Sequence, residues 1–249
     1  MLLAVVTLAK RSPASNMSHN QLEDVLKLLE PPDSLMHVNV NCRVPVVRES
    51  ESDFVVPILV DIIAPGKFNE DSGNEHLASE FTVGRMWAER LDWFLAETLG
   101  YHPARLCDAA SAIWMQVYET LMNRQGNGFR KDLNIDDFVN EIVFIHELLI
   151  HPEITDRLPL MDAAIQGISG ENSLVMMHYE QALPHNMDDW EYRDLGFKKI
   201  ARSNLLIRDN HCRYPFGDAH YAGRVVEFTA TAEHEEWLLE QWNQLTAEH

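Results

Sequence analysis

The chain has 249 residues, 46% apolar and 24% charged, with a net charge of −19. That is room for one large domain or two small ones, and it excludes collagen-like, low-complexity and wholly disordered classes. A surface this acidic repels phosphate backbones, so no nucleic-acid partner is expected, while amines and basic protein surfaces are drawn in.

No uncharged apolar run approaches the roughly 18 residues of a membrane span, so no membrane association is expected. Cys42, Cys107 and Cys212 are odd in number and far apart. They form no disulfide framework, and a reducing cytoplasm is the expected setting. Residues 1–9 are apolar and precede Lys10 and Arg11, the reverse of a secretory signal. Residues 1–35 are expected to be an N-terminal appendage with one short helix at 20–30, stopped by Pro31 and Pro32.

From 36 to 249 a single domain is expected. Alternation and Val content predict strands at 36–47 and 54–64. Helices are predicted at about 77–99 and 107–122, within a large two-helix segment at about 65–138. Trp87, Trp93 and Trp114 fall on these helices and are expected in the core. The β-branched run 141–151 predicts a buried strand, followed by a helix at 160–168 with Pro159 in its first turn. A buried strand at 173–179, a short helix at 188–195, strands at 205–208 and 224–231, and a helix at 233–245 complete the series. The expected class is α/β (α+β), with helices flanking a mixed sheet.

One stretch is more specific. A strand ending Pro152-Glu153, a loop, a helix, a strand and then Tyr192-Arg193-Asp194-Leu195-Gly196-Phe197 follow one another. Residues 139–208 resemble the core of the GNAT family, the acyl-CoA-dependent N-acyltransferases. The resemblance implies a mostly antiparallel mixed sheet and acyl transfer from acetyl-CoA or another acyl-CoA to a primary amine, of a small molecule or a protein. It makes Tyr192 the acid for the leaving thiolate and Glu141, then Glu147, the base that deprotonates the amine. The cofactor would lie along Leu149 and Ile150, then Ile154, Thr155, Asp156, Arg157, Leu158 and Leu160. The family's loop carries two glycines whose neighbouring N–H groups approach the diphosphate. Here neither is present, Pro159 has no N–H, and Asp156 and Asp162 add negative charge beside Arg157. A basic patch of Lys198, Lys199 and Arg202 is a second candidate for the phosphates. The alternative is a GNAT-like binding or regulatory protein that has lost coenzyme A. The segment 65–138 is expected to form an acceptor wall, or else a dimerisation or partner-binding surface, with a homodimer as one expectation.

Other signals are weaker. His146 and His151 flank Glu147, but their spacing is five rather than the four of a zinc helix. On a regular strand residues five apart face opposite ways, so no metal is expected there. His211, Cys212, His220 and His234 are spread too loosely for a metal signature. Cys42 and Cys107 read as small core residues.

Overall fold

The computed structural model describes residues 36–45, 50–66, 80–135, 138–179, 189–210 and 226–247. The expected appendage at 1–35 and its helix lie outside them, as do His211, Cys212 and His220. The described strands are β1 (His37–Cys42), β2 (Val55–Pro65), β3 (Glu80–Leu91), β4 (Glu141–Ile150), β5 (Ser173–His178), β6 (Lys198–Lys199) and β7 (Leu205–Asp209). The helices are α1 (Trp93–Thr98), α2 (Pro103–Ala110), α3 (Ala112–Leu121), α4 (Leu158–Ile168), α5 (Asp189–Asp194) and α6 (Ala232–Thr246). The class is mixed α/β, with a seven-stranded, mostly antiparallel open sheet ordered β1-β2-β3-β4-β5-β7-β6. β4 and β5 alone among these neighbours run parallel, joined by the α4 crossover, as a parallel pair requires. No described helix is long and apolar enough to cross a membrane.

Period-two alternation divides the buried side chains between two faces of the sheet. One face carries Val60, Ile62, Val143, Ile145, Val175 and Met177 against α4 and α5. The other carries Ile142, Phe144, Leu174, Met176, Leu205 and Ile207 against α1, α2 and α3. Further along that second face α6 lays Leu238 and Trp242 over Leu149, Trp87 and Leu59.

Three expected elements are corrected. The helix expected at 77–99 is mostly β3, and only Trp93–Thr98 is helical. The cause is a bulge: Ile62 pairs with Gly84 and Ile63 with Thr82, leaving Val83 as the extra residue. The bulge breaks the period of two, so Phe81, Met86, Trp87 and Leu91 fall at spacings that imitate a helix. The segment 65–138 therefore contains a central strand as well as its helices. The helix expected at 107–122 is two, α2 and α3. They are separated at Ser111, whose backbone is extended and whose hydroxyl accepts from Trp114 N at 3.3 Å as an N-cap. The strand expected at 224–231 is reduced, among the described residues, to one bridge between Ala230 and Gly66. Trp93 and Trp114 are buried as expected. Cys107 is buried too, but Cys42 is exposed near the end of the edge strand β1.

Candidate functional site

The parallel pairing of β4 with β5 begins at Glu141↔Ser173 and stops at Ile145↔Met177. β4 continues to Ile150, paired there with β3 only. Residues 146–150 thus form a strand edge with no β5 partner, on the carboxyl side of the parallel strands, where open α/β sheets place ligands. The register of β3 against β4 also shifts here: Ala88 pairs with Ile145 and Trp87 with Glu147, so His146 is a bulged residue. Bulges re-aim side chains and often adjoin active sites.

At this fork His146 lies on the face that holds Phe144, two residues before it, and the bulge shifts the phase of the residues that follow. Its ring stacks on Trp87 at 4.2 Å and meets the Phe144 edge at 5.0 Å. His146 Nε2 lies 3.0 Å from Glu89 Oε2, which also accepts from Trp114 Nε1 at 2.7 Å. Burial opposes charge on Glu89, but the His146 hydrogen bond and charge, with the Trp114 bond, outweigh it and hold the carboxyl below its ordinary value. His178, at the end of β5, packs edge-on against Phe144 at 5.4 Å. It is hydrogen-bonded to Asn204, whose Oδ1 accepts from Gln116 Nε2 at 2.9 Å. His178 Nδ1 is buried and has no hydrogen-bond partner among the described residues. Burial first, and the neighbouring His146 second, keep the ring's pKa below its ordinary value in spite of the Asn204 bond. The arrangement sets a neutral, buried imidazole with one unpartnered nitrogen beside a second imidazole that is hydrogen-bonded to a carboxylate. Imidazoles in such settings are the groups that can take up and pass on protons near neutral pH.

Tyr192 lies at the same end of the sheet but on the opposite face, with α4 and α5. Its ring is in the core against α4, and its hydroxyl donates to the carbonyl of Tyr179, the residue after His178, at 3.1 Å. Glu141 does not join it. It opens β4 at the other end, about 20 Å away by the strand rise from Ser173 to Tyr179. Its Oε1 accepts from Gly170 N at 2.9 Å and from Ser173 Oγ at 2.5 Å, and its Oε2 lies 3.5 Å from Arg90 Nε. Glu141 closes the turn between α4 and β5. Glu141→Ala is expected to lower stability by about 1–3 kcal/mol through the stranded donors, read as a lower urea midpoint. Glu147 is buried, paired in register with Trp87 just beyond the bulge.

The loop expected to hold coenzyme A is built differently from a phosphate cradle. Leu149, Ile150, Ile154, Leu158 and Leu160 are buried, and Thr155 and Asp156 are exposed. At the start of α4, Pro159 has no N–H, and Leu160 N and Met161 N both donate to Arg157 O at 3.1 and 3.0 Å. The Arg157 guanidinium is engaged with Glu191, its Nη2 3.1 Å from both carboxylate oxygens. Asp162 faces inward, with its Oδ1 2.8 Å from Arg208 Nη2, so it adds no charge to the loop. Lys198 and Lys199 are exposed on β6, and Lys199 Nζ stands 3.9 Å over the Tyr179 ring, at the fork end of β5. Burial pushes the Cys107 thiol up to about 12, so it is no nucleophile.

Sequence reasoning missed Glu89 and His178, and weighed His146 only as a metal ligand; Glu89 carries no signal, whereas the histidines do. Their signal was a histidine inside an otherwise apolar strand, twice: Phe-Ile-His-Glu-Leu and Met-Met-His-Tyr. No family model, no curated protein and no solved structure matches the chain.

Proposed function

We propose that the chain is an acyltransferase of GNAT-like fold that passes an acyl group from acetyl-CoA or another acyl-CoA to a primary amine. Supporting the fold is the strand order, with one parallel pair bridged by α4 and parting after Ile145 and Met177. The observation that carries the activity is the unpartnered His178 Nδ1 at that fork, beside the Glu89–His146 pair.

The residues fit the acyl-bearing arm of coenzyme A better than its diphosphate. The edge at 146–150 leaves main-chain groups free of a β5 partner, as an extended pantetheine arm needs. The α4 terminus, with Pro159 and with Arg157 engaged, does not fit the diphosphate. Lys198, Lys199 and Arg202 are exposed cations at the fork end that would hold it instead. When bound, the thioester supplies an activated carbonyl. The protein's part is to take the amine's proton and to protonate the leaving sulfur. His178 Nδ1 accepts the first proton, with Asn204 and Gln116 fixing the ring. Tyr192, whose hydroxyl stands one residue beyond His178, delivers the second. The net charge of −19 favours a cationic acceptor.

A second reading, a GNAT-like binding protein without coenzyme A, is favoured by the Arg157–Glu191 pairing and Pro159. Calorimetric titration with acetyl-CoA and coenzyme A separates the two. The acyltransferase reading expects micromolar binding, lost in the Lys198→Glu, Lys199→Glu double variant. No heat at millimolar cofactor rejects it. In an amine-acylation assay, Tyr192→Phe is expected to lose about 10²–10⁴-fold in turnover with the cofactor Kd unchanged.

A further inference from the structure

A second cluster lies outside the fork, between the loop that follows β4 and the start of α6. His151, Glu153 and His234 each bring one ligand atom to within 4.8 Å of the others. His234 Nε2 is 3.1 Å from Glu153 Oε2. The His151 ring is buried, edge-on to both His234 and Trp237 at 4.7 Å. Beside the three, a cleft of about 130 Å³ is lined by Glu153, Asp156, Glu227 and Phe228, and Phe228 packs edge-on to His234 at 5.2 Å. We propose that His151, Glu153 and His234 form a site for one divalent transition-metal ion of the zinc class, with the cleft admitting water as the fourth ligand.

The donor set argues for that class. Two imidazoles and one carboxylate suit zinc, nickel and cobalt, whereas magnesium and calcium take oxygen. Ligand atoms about 2.0–2.2 Å from a tetrahedral centre are about 3.4 Å apart. The spacing of the three therefore needs a contraction of little more than an ångström. Glu153 supplies it most easily, because its side chain is 67% exposed. Thr231 Oγ1 stands 2.9 Å from His234 Nδ1. Thr231 N also donates to this nitrogen at 2.9 Å, so with Nε2 on the ion Nδ1 would take up the proton and exchange the main-chain bond for Thr231 Oγ1, the outer-shell orientation that metal histidines use. An ion at Nε2 would replace the hydrogen bond between His234 and Glu153. It would also tie together two segments 81 residues apart.

This site is independent of the fork: His146 pairs with Glu89, whereas His151 turns to α6. The test uses the full chain, stripped with chelator and titrated with zinc chloride at pH 7.5. The expected result is one equivalent bound with a dissociation constant near micromolar or tighter, and a Tm raised by about 5 °C or more at hundredfold excess. Cobalt chloride should give the visible bands of a tetrahedral ion. Glu153→Gln, a change on an exposed side chain, and His234→Gln should each weaken zinc at least tenfold. No thermal shift and no heat would overturn the proposal. So would unchanged binding in both variants, which would place the ion elsewhere, His211, Cys212 and His220 included.

Discussion

Asp162→Ala is expected to lower the stability of the fold by about 3–5 kcal/mol, the cost of leaving one member of a buried ion pair alone. The side chains of Asp162 and Arg208 are 6% and 1% exposed, 2.8 Å apart, and join α4 to β7 across the core. The network extends outward. Gln166 donates to the second Asp162 oxygen, Arg208 Nε donates to Asn210 Oδ1 at 3.1 Å, and Asn210 Nδ2 donates to Ser169 Oγ and Gly170 O. Removing the carboxylate leaves a guanidinium that cannot shed its proton in a space built for a pair. Exchanging both partners for apolar residues, Asp162→Leu with Arg208→Met, removes the charge as well as the pair. The double variant is expected to recover most of the loss, within about 2 kcal/mol of the parent. Urea unfolding of the two variants and the parent decides it. A single variant within 1 kcal/mol of the parent would mean that water reaches Arg208 and the pair is not a core element. The same geometry bears on function, because the Asp162 charge is neutralised in the core, away from the loop expected to meet phosphate.

Why some of this was legible and some was not follows from particular residues. β4, β5 and β7 are short apolar runs ended by Pro, Gly or polar clusters, and their sequence reading survives because both faces of the strand are buried. α4 and α6 read well for the opposite reason, a periodic apolar stripe with a recognisable start. β3 was lost to Val83, one extra residue that shifts the phase of everything after it. The same kind of event at His146 hid the candidate site. A regular strand would send His146 and His151 to opposite faces, whereas the bulge shifts the phase after His146 and restores them to one face. Tyr192 could be singled out because its motif is local. Glu141 went astray because a glutamate that opens a strand carries no mark of which end of the sheet the ligand uses. The pairing of Arg157 with Glu191, 34 residues apart, has no signature in the sequence at all.

His178→Gln is expected to reduce acyl-transfer turnover by about 10²–10⁴-fold, the usual worth of a positioned general base. It should leave cofactor affinity and folding nearly intact, since glutamine can keep the bond to Asn204. The pH dependence follows from the direction of the shift. The ordinary imidazole value is 6.5, and burial with the neighbouring His146 places the folded ring below it. The base is therefore unprotonated at neutral pH, and turnover falls only on the acid side of 6.5. Stability moves the same way. As pH drops through 6.5 the unfolded chain takes up a proton that the folded ring still refuses, so unfolding becomes easier. His178→Gln removes that contribution and flattens the acid limb of the stability profile. His146→Gln acts on the same ring from outside: without the neighbouring charge, the midpoint of His178 should rise toward 6.5 while burial still holds it below. Ring resonances followed by NMR between pH 4 and 8 read both midpoints directly, with no substrate needed. A His178 midpoint at or above 6.5 in the parent would mean a ring already solvated and partnered, and the fork would lose its base. A midpoint below 6.5 with turnover unchanged in His178→Gln would leave a buried histidine that serves the packing of β5 against Phe144, and would move the search for the base to His146.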